Sequence, residues 1–118
     1  MFTQEIEMIY YYDNNNNINN EIKTRIFGNK FVKNNYHNCK IIFNNEEYPL
    51  HEYFNDINEN YNNKDDIKFK LKISEDIISL NDMFSGCKTF KFLPDISGLN
   101  TSDIIEMKSI FLNCKSLI

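Results

Sequence analysis

Alanine and tryptophan are missing from this sequence of 118 residues, arginine occurs once, at Arg25, and there are only three glycines and two prolines. Each shortage closes off a class of function. Gly28, Gly86 and Gly98 stand apart, so no glycine-rich loop is present to cradle a phosphate on backbone amides. A single arginine and a formal net charge of −4 argue against binding a nucleic-acid backbone, which needs clustered Lys and Arg. Nothing approaches the roughly 18 to 20 consecutive apolar residues of a membrane helix. The opening Met1-Phe2-Thr3-Gln4-Glu5-Ile6-Glu7 is acidic and does not lead from a basic segment into an apolar one, as a secretory leader would. The expectation is a protein without a membrane span, located in the cytoplasm, or at the cell surface if the true start lies upstream. The three cysteines, an odd number without close spacing, fit a reducing compartment and no disulfide framework.

What is plentiful is Asn, Ile, Lys, Phe and Tyr, the residues that AT-rich codons supply. The Asn excess therefore carries little functional weight, and the tract from Asp13 to Asn20 reads as a polar loop. A hydrophobic fraction of 42%, with 7 Tyr and 10 Phe, is enough for a folded domain.

Along the chain, Ile6, Met8, Tyr10 and Tyr12 alternate with their neighbours and predict a first strand. Glu21 to Phe27 is a second candidate, closed by Gly28-Asn29, with Lys30 to Val32 continuing after the turn. Cys39 to Phe43, a polar turn over Asn44 to Glu47, and Tyr48 to Leu50 read as strand, turn and edge strand, since Pro49 cannot donate to a ladder. His51 to Ile57 is a short helix candidate and Asn58 to Asp66 a polar loop. Ile67, Phe69, Leu71 and Ile73 alternate strictly with Lys68, Lys70 and Lys72, which predicts a strand with one apolar and one cationic face. Lysines on such a face are usually solvated, and they guard a sheet edge against wrong pairing.

From Ser74 onward the sequence repeats itself with a constant offset of 27 positions. Asp76-Ile77-Ile78 returns as Asp103-Ile104-Ile105, Phe84 as Phe111, Cys87 as Cys114 and Lys88 as Lys115. A fixed period of this length is the mark of stacked supersecondary units. Ile77, Ile78, Leu80, Met83 and Phe84 would share one face of a short helix capped by Ser74, with Gly86 in the left-handed conformation that ends it. A strand over Thr89 to Ile96, interrupted by Pro94, would follow.

The run from Met83 to Ser97, continued by Asn100-Thr101-Ser102, resembles the leucine-rich repeats of the BspA type. Its points of likeness are the Met-Phe-x-x-Cys element at Met83 to Cys87, the Leu-Pro-Asp-Ile-Ser strand at Leu93 to Ser97 and the Asn-Thr-Ser turn. It departs from that family at Leu99, where a Trp is usual, and at Gly98 and Ile110. The resemblance implies an α/β fold: a short leucine-rich-repeat solenoid over residues 66–118, preceded by a β-rich N-terminal region over residues 1–65. On that view Ile67 to Ile73 is the first rung of a repeat sheet that continues at residues 90–96.

Reactive side chains suggest little chemistry. Cys87 and Cys114 read as small core residues rather than half of a metal site. His37, Cys39 and His51 lack the spacing of a zinc site or of a thiol nucleophile with an oriented base. The paired carboxylates Glu46-Glu47 and Asp65-Asp66 fall on predicted turns. The expected function is protein binding without catalysis, with no metal, no cofactor and no nucleic acid. Contacts would come from Lys70, Lys72, Lys91 and Asp95, and a surface or adhesion stalk is the alternative. Because a repeat exposes an apolar surface until its neighbour covers it, self-association through the edge at residues 90–96 is also expected.

Overall fold

The strict alternation at residues 67–73 builds the centre of the molecule. Ile67, Phe69, Leu71 and Ile73 are buried, while Lys68 and Lys70 are exposed and Lys72 is half-buried. In the computed structural model, which describes residues 3–13, 22–74 and 79–96, this strand is β4 (Ile67–Ser74). It lies between β1 (Thr3–Tyr12) and β2 (Cys39–Phe43), with β3 (Glu46–Pro49) outside β2 and β5 (Phe90–Phe92) outside β1. Every neighbouring pair is antiparallel. One α-helix, α1 (Asn29–Asn35), and a 3-10 turn at Phe54–Asp56 complete the regular structure among the described residues.

Register sorts the side chains onto two faces. On the inner face Met8 stands opposite Phe69 and Tyr10 opposite Ile67, while Ile41 and Cys39 of β2 meet Leu71 and Ile73. Ile26, Phe27, Phe31 of α1, Leu50, Phe54, Leu80, Met83, Phe84 and Cys87 are buried in the same core. Phe69 is its hub, with ring centroids of Tyr10, Phe27 and Phe54 at 5.7, 5.9 and 6.3 Å. Burying each such side chain stabilises the fold by about 1.5–3 kcal/mol. The Tyr10 hydroxyl is satisfied within the core by donating to the Ile26 carbonyl at 2.6 Å.

This sheet corrects the expected solenoid. A repeat stack needs parallel strands, yet β4 pairs with β1 and β2, and β5 runs antiparallel to β1 rather than beside β4. The reason is that matching alternation lies nearer the N-terminus: Met8 and Tyr10 of β1 and Cys39 and Ile41 of β2 complete the apolar face of β4, a pattern suited to an antiparallel sheet with one solvated face. β4 therefore lies beyond the 65/66 division in sequence while being flanked on both sides by strands from before it.

The described part of the first repeat also differs from a helix. Residues 81–86 form successive turns, with Met83 N–H donating to Leu80 O, Ser85 to Asp82 O and Cys87 to Phe84 O. Asp82 has φ 58°, which interrupts any helical path. Of the expected core positions Leu80, Met83, Phe84 and Cys87 are buried, and Gly86 has the expected positive φ of 80°, whereas Ser74, expected as the cap, ends β4, and Ile77 and Ile78 lie outside the described residues. Cys114 and the whole of the second repeat lie outside the described residues.

Two strand expectations also give way. Residues 22–28 form only an isolated bridge between Arg25 and Tyr53, since the amides of Ile26 and Phe27 both donate to Glu52 O. Residues 30–32 lie in α1, which turns Phe31 and Asn35 inward at helical spacing.

Candidate functional site

The inner face is filled by the core, so the surface positioned by the fold is the outer face of the sheet. Across it, Glu5 stands opposite Lys72, Glu7 opposite Lys70 and Ile9 opposite Lys68 on β1 and β4. On the other side of β4, Lys40 of β2 stands opposite Lys72, and Ile42 opposite Lys70. Glu47 of β3 is opposite Ile42. The result is a column of lysines along β4, joined by Lys40 and bordered by glutamates.

The charges are partly paired. Lys68 Nζ lies 3.6 Å from Glu7 Oε2, and Lys72 Nζ donates to Glu47 Oε2 at 2.9 Å. That hydrogen bond, with the Glu47 charge, raises the Lys72 pKa. Lys40 Nζ instead lies 6.0 Å from the centroid of the Tyr36 ring. No ion pair to Lys70 occurs among the described residues. Because these groups are exposed and screened, each pair adds little to stability.

Beside Lys68 and Lys70 is an open depression of about 340 Å³, lined also by Glu7, Ile42, Asn44 and Asn45. It forms where β4 runs on past the end of β2. Asn44 and Asn45 make the two-residue turn into β3, both with positive φ, so a tight hairpin forms its rim.

The Lys68 end of the column borders an aromatic pair. Tyr11 and Phe92 are 45% and 48% exposed and meet edge to face at 6.2 Å. The register shifts here, since Tyr12 pairs with Phe90 but Tyr11 with Phe92, which leaves Lys91 as the extra residue of a bulge. Such a bulge re-aims side chains. Phe90 enters the core against Tyr10, while Phe92 remains exposed, with Lys91 Nζ 5.6 Å from its ring centroid.

Of the residues expected to bind a partner, Lys70 and Lys72 thus lie together on the outer face with Lys40 and Lys68. Lys91 is separated from them by β1, and Asp95 is exposed beyond the end of β5. Lys40, Tyr11 and Phe92 were not singled out by the sequence. For Tyr11 and Lys40 the signal was the alternation in β1 and β2, readable for this purpose only once strand order is known, whereas Phe92 of β5 is turned outward by a bulge that alternation does not announce.

The remaining polar clusters hold the fold. The Arg25 guanidinium donates to Phe27 O, Glu52 Oε1 and the Tyr53 hydroxyl at 3.0, 2.9 and 2.7 Å and stacks 4.6 Å from the Tyr53 ring. Asn63 Oδ1 accepts from Thr24 Oγ1 and Asn55 Nδ2, both at 2.8 Å, while its Nδ2 donates to Ile22 O. Cys39 is buried, and desolvation pushes its thiol up to about 12, so it is protonated and inert at neutral pH. His51 Nδ1 is 2.8 Å from Pro49 O, and His37 packs edge to face on Tyr36. Among the described residues no group of three His, Cys, Asp or Glu side chains is arranged to hold a metal ion, and no helix is long and apolar enough to cross a membrane. No family model matches this sequence, and no curated protein or solved structure matches it either.

Proposed function

We propose that this chain is a non-catalytic protein-binding domain that uses the outer face of its sheet. The observation that carries this reading is the division of labour across β4: one side is spent on the core, and the other presents a lysine column ending at two exposed aromatic rings. Aromatic residues in the middle of charged surroundings are the usual anchors of protein interfaces. The resemblance of residues 83–97 to repeats that bind proteins or surfaces favours the same class of role. That reading involves no solenoid, because the contact surface belongs to the antiparallel sheet.

The test is affinity capture from cell extract with the wild-type chain and with a Tyr11→Ser/Phe92→Ser variant, with chemical cross-links mapped onto the chain. The expected result is a reproducible partner whose cross-links fall on Lys40, Lys68, Lys70 or Lys72 and whose capture drops at least tenfold in the variant. Cross-links confined to other surfaces, or undiminished capture by a folded variant, would overturn the reading.

A further inference from the structure

We propose that the lysine column takes an extended acidic protein segment carrying carboxylates at every second residue. This rests on the outer face being the binding surface, and it adds the chemistry of what binds there.

Spacing comes first. Lys68, Lys70 and Lys72 occupy alternate positions of one strand, so their backbone origins repeat at about 6.6–6.8 Å, twice the rise per residue. An extended segment lying along β4 has the same repeat, so alternate carboxylates meet successive ammonium groups. A helix would not keep this register, since its facing residues recur at three and four positions.

A second observation concerns Lys40. It stands directly opposite Lys72 in the β2–β4 ladder, and like charges at opposed positions destabilise a sheet. The two ammoniums are drawn apart, one to Glu47 and the other to the Tyr36 ring. A local conflict of this kind is what a binding surface tolerates and a purely structural one avoids. An anion placed between the two strands relieves it. Lys70, with no ion pair among the described residues, is the group most ready to accept a carboxylate. The depression beside it offers room for one acidic side chain against Asn44 and Asn45.

Size and borders select the class of occupant. Three strands at about 4.8 Å spacing and four rows of alternate residues give a face of roughly 400 Å². Stable interfaces between folded proteins take about 800 Å² from each partner. The face therefore suits a peptide segment better than a second copy of this chain. Glu5 and Glu7 border the column on one side and Glu47 of β3 on the other, leaving a positive strip that is one lysine wide at Lys70, where β2 carries Ile42, and two wide at Lys72, where it carries Lys40. A single row of carboxylates fits that strip, while a phosphate chain with its broader charge meets the bordering glutamates.

The experiment is a titration of the full chain, isotopically labelled, with three probes. These are an acetylated peptide alternating Glu with Thr, the same peptide with Gln in place of Glu, and a single-stranded oligothymidylate. The Glu peptide should shift the amides of Lys40, Asn44, Asn45, Lys68, Lys70 and Lys72. Its affinity should fall several-fold between about 50 and about 300 mM salt, as exposed charge pairs are screened. Lys70→Glu should weaken it at least tenfold, and Lys70→Gln should weaken it less while preserving the thermal midpoint, which keeps the result readable if charge reversal harms folding. Equal binding of the Gln peptide at the same face would overturn the inference about charge yet leave the binding surface intact. Shifts elsewhere, no binding by the Glu peptide, or tighter binding of the oligothymidylate would overturn it as well. Failure of the surface itself would show separately, as undiminished partner capture by Tyr11→Ser/Phe92→Ser.

Discussion

Asn44 and Asn45, with φ of 52° and 66°, hold the hairpin between β2 and β3, and Asn63 and Asp82 also have positive φ, at 66° and 58°. In a chain with three glycines, Asn and Asp take backbone positions that glycine usually fills, because their short polar side chains tolerate the left-handed region. Asn45→Gly should accordingly stabilise the protein by about 0.5 kcal/mol, the relief at the turn outweighing the entropy gained by the unfolded chain. Urea unfolding of the two forms is the measurement. Cys39 supplies a prediction of the other sign. Its ordinary value is 9 and burial raises it to about 12, so below pH 9 the thiol has no effect on stability. Above that the unfolded chain releases the proton first, and stability falls as pH rises toward the folded value. By about pH 11 this amounts to roughly 2 to 3 kcal/mol. Tyr10, also raised by burial, adds to the loss. Thermal midpoints taken between neutral pH and about pH 11 should decline, and Cys39→Ala should decline less steeply from its own neutral value.

Elements differ in how plainly the sequence announces them. β1, β2 and β4 were legible because alternation is a local property, and Cys39 to Phe43 and Ile67 to Ile73 each show it within one strand. Residues 30–32 were misread because Phe31-Val32 looks like a strand, whereas the spacing that decides the matter, Phe31 with Asn35 on one buried helix face, is set by tertiary contacts. Asn35 Nδ2 donates to Phe31 O and to Ser79 O at 3.1 and 2.8 Å, tying α1 to the segment after β4. The repeat marked Leu80, Met83, Phe84 and Cys87 as core residues and implied the wrong architecture, since periodicity names apolar positions without naming the partner strand. The lysine column was half legible: β4 displays three of its members, but Lys40 joins them only through the β2–β4 register. Gly28, just before α1, illustrates the same dependence on packing. Its N–H donates to Met83 O at 3.0 Å, and a Cβ there would overlap the Asp82 carbonyl oxygen and press on Ser85. Gly28→Ala should cost about 3 kcal/mol or more, because the obstruction is backbone and cannot swing away. Differential scanning calorimetry or chemical denaturation will read it.

At the scale of the whole molecule, β4 is paired with β1 along its whole length and with β2 over Lys70 to Ile73, while β3 and β5 are short and lie at the sheet's margins. Amide hydrogen exchange should therefore be slowest at Phe69 to Ile73, intermediate in β1 and fastest in β3 and β5. Comparable rates across the five strands would show that the sheet opens as one unit. Since β1 at residues 3–12 must find β4 at residues 67–74, a pairing of strands far apart in sequence, refolding should take milliseconds to seconds rather than microseconds. The same order of strands governs the protein's birth. β1 leaves the ribosome first, carrying Met8 and Tyr10, yet the strand that covers its flank is made about 60 residues later. At a synthesis rate of about 5–20 residues per second, that is a wait of roughly 3 to 12 s with an apolar strand still unpaired. Early exposure makes the nascent chain, more than the finished domain, the form most dependent on chaperones.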